Sequence, residues 1–125
     1  MLNKATLRLS SINQVMRRSM ITVPGKSWIQ PEGVNDLVTY LDNRRPEYIC
    51  LYFHAAWNPT CADIERDYDA FTARNSHFTH IKVDCDATPK LKFFFDARVE
   101  PQFLMLLNGA EIKRQIGFNF DLVEN

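Results

Sequence analysis

The chain has 125 residues, room for one domain with a single core, and its 46% hydrophobic and 24% charged residues are ordinary for a globular domain. No apolar run approaches the roughly 20 residues that a membrane-crossing helix needs. Fifteen Lys and Arg balance fifteen Asp and Glu, but five of the cations (Lys4, Arg8, Arg17, Arg18, Lys26) precede the first acid, Glu32. The remainder sets ten cations against fifteen acids, about −5, which argues against recognition of nucleic acid by a basic face.

From Met1 to Met20, Leu2, Ala5, Leu9, Ile12 and Met16 recur on one helical stripe. Lys4, Arg8 and Arg18 fall opposite and Arg17 at the edge. With Ser10, Ser11 and Ser19 this is an acid-free, basic, amphipathic pattern of the kind that directs import into mitochondria. Residues 1–25 are therefore expected to be a mitochondrial targeting-like segment or an ordered N-terminal arm, and 26–125 the domain. The arginine pair before Ser19 is the region where processing is expected. Such a helix also suits docking on a partner or a membrane surface, the one membrane contact the sequence offers.

Val23-Pro24-Gly25 breaks the chain before the body. Ser27-Trp28-Ile29 reads as a short strand. Val34, Leu37, Val38 and Leu41 form a helical stripe introduced by Pro31 and stopped before Pro46. Tyr48 to Ala55 is a continuous apolar and aromatic run that suits a central strand buried on both faces. The helix Pro59–Arg74 carries Cys61, Ile64, Tyr68 and Phe71 on one stripe. Phe78–Val83 is expected as a strand and Thr88–Phe95 as a short helix. Gln102–Leu107 and Glu111–Ile116 are expected as strands joined around Asn108-Gly109, the strongest short hairpin signal present. The order βαβαβαββ implies an α/β fold whose sheet has a parallel first half closed by an antiparallel hairpin.

This order, and five landmarks along it, resemble thioredoxin over roughly residues 27–118. Phe53-His54-Ala55-Ala56-Trp57-Asn58-Pro59-Thr60-Cys61 is similar to the thioredoxin strand and turn F-W-A-x-W-C-G-P-C. Val83-Asp84 resembles the end of the third strand, and Glu100-Pro101 falls where the family has its cis-proline. Asn108-Gly109 matches the hairpin turn, and Gly117 a glycine after the last strand. The resemblance implies a thioredoxin-like fold, a central mixed sheet with flanking helices, from which a final helix expected to be short or absent would be a departure.

The departures bear on function. Reductases of the family attack with the first cysteine of W-C-G-P-C, where the helix N-terminus favours thiolate. Asn58 stands there, and an amide cannot attack a disulfide, so exchange through a C-x-x-C pair is excluded. The family's buried carboxylate aligns with Tyr52, and a lysine near it with His80. Trp57, Asn58, Pro59, Thr60 and Cys61 thus read as a degenerate redox motif with no catalytic residue.

Each candidate also has a structural reading. Asn is among the best N-caps and Pro is favoured at the next position, so Asn58-Pro59 is a competent helix start without chemistry. Cys61 lies on the apolar stripe and reads as core, as does Cys50 in mid-strand. Cys85, in an expected loop, reads as the most accessible thiol. The cysteines contain no C-x-x-C pair and leave one thiol over under any pairing, which points to a reducing compartment. His54, His77 and His80 show no zinc-site spacing with the cysteines, so no metal and no cofactor is expected. The Phe93-Phe94-Phe95 run is expected to be mostly core, with one ring outward.

Where the family ends in a helix, this sequence has eight residues after Gly117, of which Phe118, Phe120, Leu122 and Val123 are interface candidates on a sheet face left for the N-terminal segment or another protein to cover. The reading is a non-catalytic thioredoxin-like structural subunit of a large mitochondrial assembly: a respiratory-chain complex, the ATP synthase or the mitochondrial ribosome. Its expected partners are other protein subunits, with no small-molecule substrate, in the matrix or on the matrix face of the inner membrane. The alternatives are a monothiol redox protein acting through Cys61 or Cys85, and a chaperone-like module holding extended peptides in a groove lined by Trp57, Glu100 and Pro101.

Overall fold

The structure is a computed structural model that describes residues 20–43 and 47–117. The stripe from Leu2 to Met16, the stop at Pro46, and Phe118, Phe120, Leu122 and Val123 lie outside the described residues.

Among the described residues nine elements follow in order: β1 (Met20–Thr22), β2 (Trp28–Pro31), α1 (Val34–Asn43), β3 (Tyr48–His54), α2 (Pro59–Arg74), β4 (Thr79–Asp84), α3 (Pro89–Phe94), β5 (Gln102–Leu107) and β6 (Ala110–Ile116). They build one six-stranded sheet in the order β1-β2-β4-β3-β5-β6. β2, β4 and β3 run parallel, and β5 and β6 close the sheet antiparallel. That is the expected mixed sheet with one addition. β1 pairs antiparallel with β2, Met20 opposite Pro31 and Thr22 opposite Ile29. The sheet therefore takes in Met20–Thr22, residues from the stretch assigned to the N-terminal segment.

Strand alternation explains why the run at β3 is apolar throughout. Side chains point to opposite faces at successive positions, and both faces of β3 are covered. Ile49, Leu51 and Phe53 join Leu37 and Leu41 of α1, Leu91 of α3, Ile81 and Val83 of β4, and Leu104 and Leu106 of β5. Cys50 and Tyr52 join Ile64, Tyr68 and Phe71 of α2, and Phe103 and Met105 of β5, on the other face. This second core is a ring stack. Tyr52 lies parallel to Phe103 with centroids 4.7 Å apart, and Phe71 meets Phe103 edge-on at 6.1 Å.

The β5–β6 hairpin turns at Asn108 (φ 57°) and Gly109 (φ 81°), between the paired Leu107 and Ala110. Two successive positive φ values are what a two-residue hairpin turn of the primed type requires, and Asn-Gly supplies them with least strain. On the far edge, Trp28 Nε1 donates to Asp69 Oδ1 at 2.7 Å and the Lys26 ammonium pairs with the same carboxylate. That contact ties the β1–β2 hairpin to α2.

Candidate functional site

The site is built where β3 gives way to α2. His54 ends the strand, and the Asn58 N–H returns to the Ala55 carbonyl at 3.1 Å to close the turn. Asn58 is extended (φ −84°, ψ 119°), and its Oδ1 accepts from the N–H of Thr60 at 2.9 Å and of Cys61 at 3.4 Å. Those are two of the orphan donors at the start of a helix, and Pro59 at the first helical position has no N–H to satisfy. The same side chain reaches across the site: Asn58 Nδ2 donates to the Glu100 carbonyl at 2.9 Å.

Glu100 precedes a cis bond to Pro101, as expected at that position, and the Pro101 carbonyl accepts from the Gly117 N–H at 2.9 Å. The Glu100 side chain turns inward and pairs with Lys92 on α3. Its carboxylate is thus committed to an ammonium on α3. Trp57 is 68% exposed, Pro59 and Thr60 are exposed, and Cys61 is 2% exposed. The structure thus brings all five turn residues and Pro101 together, with the indole outward and the thiol inward.

Beneath the turn lies a polar cluster. Burial pushes the Cys61 thiol up, against which the Ala55 backbone acts only in part. The Tyr52 phenol is held well above its ordinary range, first by burial and then by the neighbouring Cys61 and Glu65. Lys82 pairs with Glu65 and lies over the Trp28 ring, 4.7 Å from its centroid. In register, Lys82 stands opposite Tyr52 and His80 opposite Cys50. The two-residue period of the strand puts His80 and Lys82 on the same face, with Lys82 the cation in register with Tyr52. His80 is buried, its Nε2 against the Asn75 carbonyl at 2.8 Å, and burial lowers its basicity. Burial also lowers that of His54, aided by Lys82.

Cys50 and Cys85 are buried as well, and burial pushes each thiol up to about 12. For Cys85 this corrects the expectation of an accessible thiol. Its N–H donates to the His54 carbonyl at 2.9 Å, which draws the residue into the core between β3 and α3. The Phe93-Phe94-Phe95 run also departs from expectation, with Phe93 80% and Phe94 61% exposed and Phe95 alone packed inward. Phe94 and Phe95 border a cavity of about 400 Å³ with Val38, Leu41 and Leu106, at the far end of β5 from Pro101. Among the described residues no group of three His, Cys, Asp or Glu is placed to hold a metal ion, and no helix is long and apolar enough to cross a membrane.

A mixed sheet of this order, with a helix springing from the central strand and its first turn facing a cis-proline loop, defines a thioredoxin-like α/β protein. The Thioredoxin family model matches residues 37–123, and the chain belongs to the thioredoxin family. Thioredoxin H5 of Oryza sativa subsp. japonica is 26% identical over 73 residues, 58% of this chain and 54% of that protein. Glutaredoxin 3 of Danio rerio is 25% identical over 77 residues, 62% of this chain and 24% of that protein. The chain thus matches less than two thirds of the length of either relative. Among solved structures, thioredoxin NaTrxh from Nicotiana alata superposes with a TM-score of 0.74 at 23% identity, covering 83% of this chain and 92% of that one. At that identity the likeness speaks for the fold alone.

Proposed function

We propose that this protein is a non-catalytic member of its family, a structural subunit of a large mitochondrial assembly such as a respiratory-chain complex, the ATP synthase or the mitochondrial ribosome. Thioredoxins are oxidoreductases, and their chemistry needs an attacking thiolate at the start of the helix after the central strand. One observation carries the proposal. At that helix start stands Asn58, in the place of the first cysteine of W-C-G-P-C, with its carboxamide engaged at both ends by Thr60, Cys61 and Glu100. The position of the second cysteine holds Cys61, buried and with its thiolate disfavoured. The mitochondrial part of the proposal rests on the acid-free, basic residues 1–19.

Purification of the native protein under mild conditions, with mass spectrometry of what accompanies it, tests this reading. A stoichiometric set of larger-assembly subunits is expected, and a stable monomer without partners sinks it. On the side of a monothiol protein stands the hydrogen bond from Ala55, which eases the Cys61 thiolate, but burial is the larger effect. A thiol pKa well below about 8.5, lost on Cys61→Ser, would decide for that rival.

A further inference from the structure

We propose that the peptide bond between Arg18 and Ser19 is a proteolytic processing site: a matrix endopeptidase removes residues 1–18 there, and the mature chain keeps strand β1 in its sheet. The proposal rests on the mitochondrial reading of residues 1–19, and it names the bond that this reading leaves open.

Two constraints meet at this bond. On the domain side, the sheet limits how far a removable leader can extend. Met20, Ile21 and Thr22 pair with Pro31, Gln30 and Ile29, and Met20 packs against the core that holds Leu37 and Leu51. The connection to β2 is built as well. The Lys26 N–H donates to the Val23 carbonyl at 3.0 Å, and Gly25 in the same turn takes a φ of 80°. Lys26 and Trp28 then both reach Asp69 on α2. A cut at the Val23-Pro24-Gly25 break would strip β1 from the sheet and leave β2 as a bare edge. A leader compatible with this sheet therefore ends before Met20.

On the leader side, the chemistry of recognition points to the same place. Residues 1–19 carry Lys4, Arg8, Arg17 and Arg18 and no acid, and Arg17-Arg18 is their one pair of adjacent cations. A peptidase that selects a cationic leader sets carboxylates against it, and each guanidinium can give a carboxylate two parallel hydrogen bonds. The Arg18–Ser19 bond lies outside the described residues, one residue before the first paired position of β1. In the reaction water adds across the amide, so that Arg18 leaves with the new carboxylate and Ser19 keeps the new α-ammonium. The mature chain then sets eleven cations against fifteen acids, since four of the fifteen cations go with the leader.

The 125-residue chain, made by cell-free translation, is presented to energised isolated mitochondria, and the protease-protected product is read by intact mass and by its N-terminal peptide. A product that begins at Ser19 is expected. A protected product that begins at any other residue, or one that still carries residues 1–18, overturns the proposal and leaves the mitochondrial reading standing. A chain that stays outside and open to added protease overturns both together. The double variant Arg17→Gln, Arg18→Gln is compared with the wild type in solubilised matrix extract, so that import does not enter the rate. It is expected to be cut about tenfold more slowly, the loss of a charge-assisted contact. Cleavage of the variant at the wild-type rate would show that the arginine pair does not direct the cut, and would overturn the assignment.

Discussion

Replacing Asn58 by Ala tests how much of the site is architecture. The substitution removes two separable contributions. One is the cap on the N–H groups of Thr60 and Cys61, worth about 1 kcal/mol in typical helices. The other is the bond from Nδ2 to the Glu100 carbonyl, a partly buried contact 42 residues apart in sequence, worth a further ~1 kcal/mol. Asn58→Ala is therefore expected to lower stability by about 2 kcal/mol, moving the urea midpoint down by roughly 1 M at an ordinary slope for a domain of this size. Asn58→Asp keeps the acceptor and adds a negative charge at the helix N-terminus, so it should lose only the cross-link, about 1 kcal/mol. Equilibrium urea unfolding of the three proteins, followed by far-UV circular dichroism, measures both steps. If Asn58→Ala costs less than about 0.5 kcal/mol, or Asn58→Asp costs as much as Asn58→Ala, the division into cap and cross-link is wrong.

The three thiols should resist Ellman's reagent in the native protein at pH 8 and all react in urea; rapid stoichiometric labelling of the folded chain would contradict their burial. Because Cys50 and Cys85 are pushed up to about 12 from an unfolded value near 9, the unfolded chain loses these protons first as pH rises. Their contribution is thus complete below pH 9 and declines between about 9 and 12, and a urea midpoint that does not fall from pH 8 to pH 10.5 would count against it. Asn58→Cys restores the C-x-x-C spacing with Cys61 at the start of α2, and oxidised glutathione is expected to close an intramolecular disulfide there, detected as the loss of two hydrogens by mass spectrometry. Failure to close it would mean that more than a missing nucleophile separates this turn from a redox site. Phe71→Ala opens a cavity between Tyr68, His80 and Phe103 and should cost about 3–5 kcal/mol in the same urea assay; a cost near 1 kcal/mol would show that the ring stack is loosely packed.

Much of the fold was legible because its signals are local. Capping acts over three residues, so Asn58-Pro59 announced α2 without reference to anything distant. The Asn108-Gly109 turn depends only on backbone preference. The apolar and aromatic run from Tyr48 to Ala55 implied two covered faces, and both cores are there. β1 was not legible, since Met20-Ile21-Thr22 is too short to carry a period and is a strand only because Gln30 and its neighbours pair with it.

At the site the division is sharper. The sequence alone determined that no nucleophilic pair exists and that Asn58 is suited to begin a helix, because both follow from residue type and spacing. Tertiary structure decided what Asn58 does with its second polar atom, because its acceptor, Glu100, lies 42 residues away and enters reach only when β5 pairs with β3. It likewise decided that Lys82 stands in register with Tyr52, that Glu100 turns inward to Lys92, and that Cys85 is buried while Phe93 and Phe94 are not. Those outcomes depend on strand register and on which neighbours share a face. A one-dimensional pattern specifies neither until the sheet has formed.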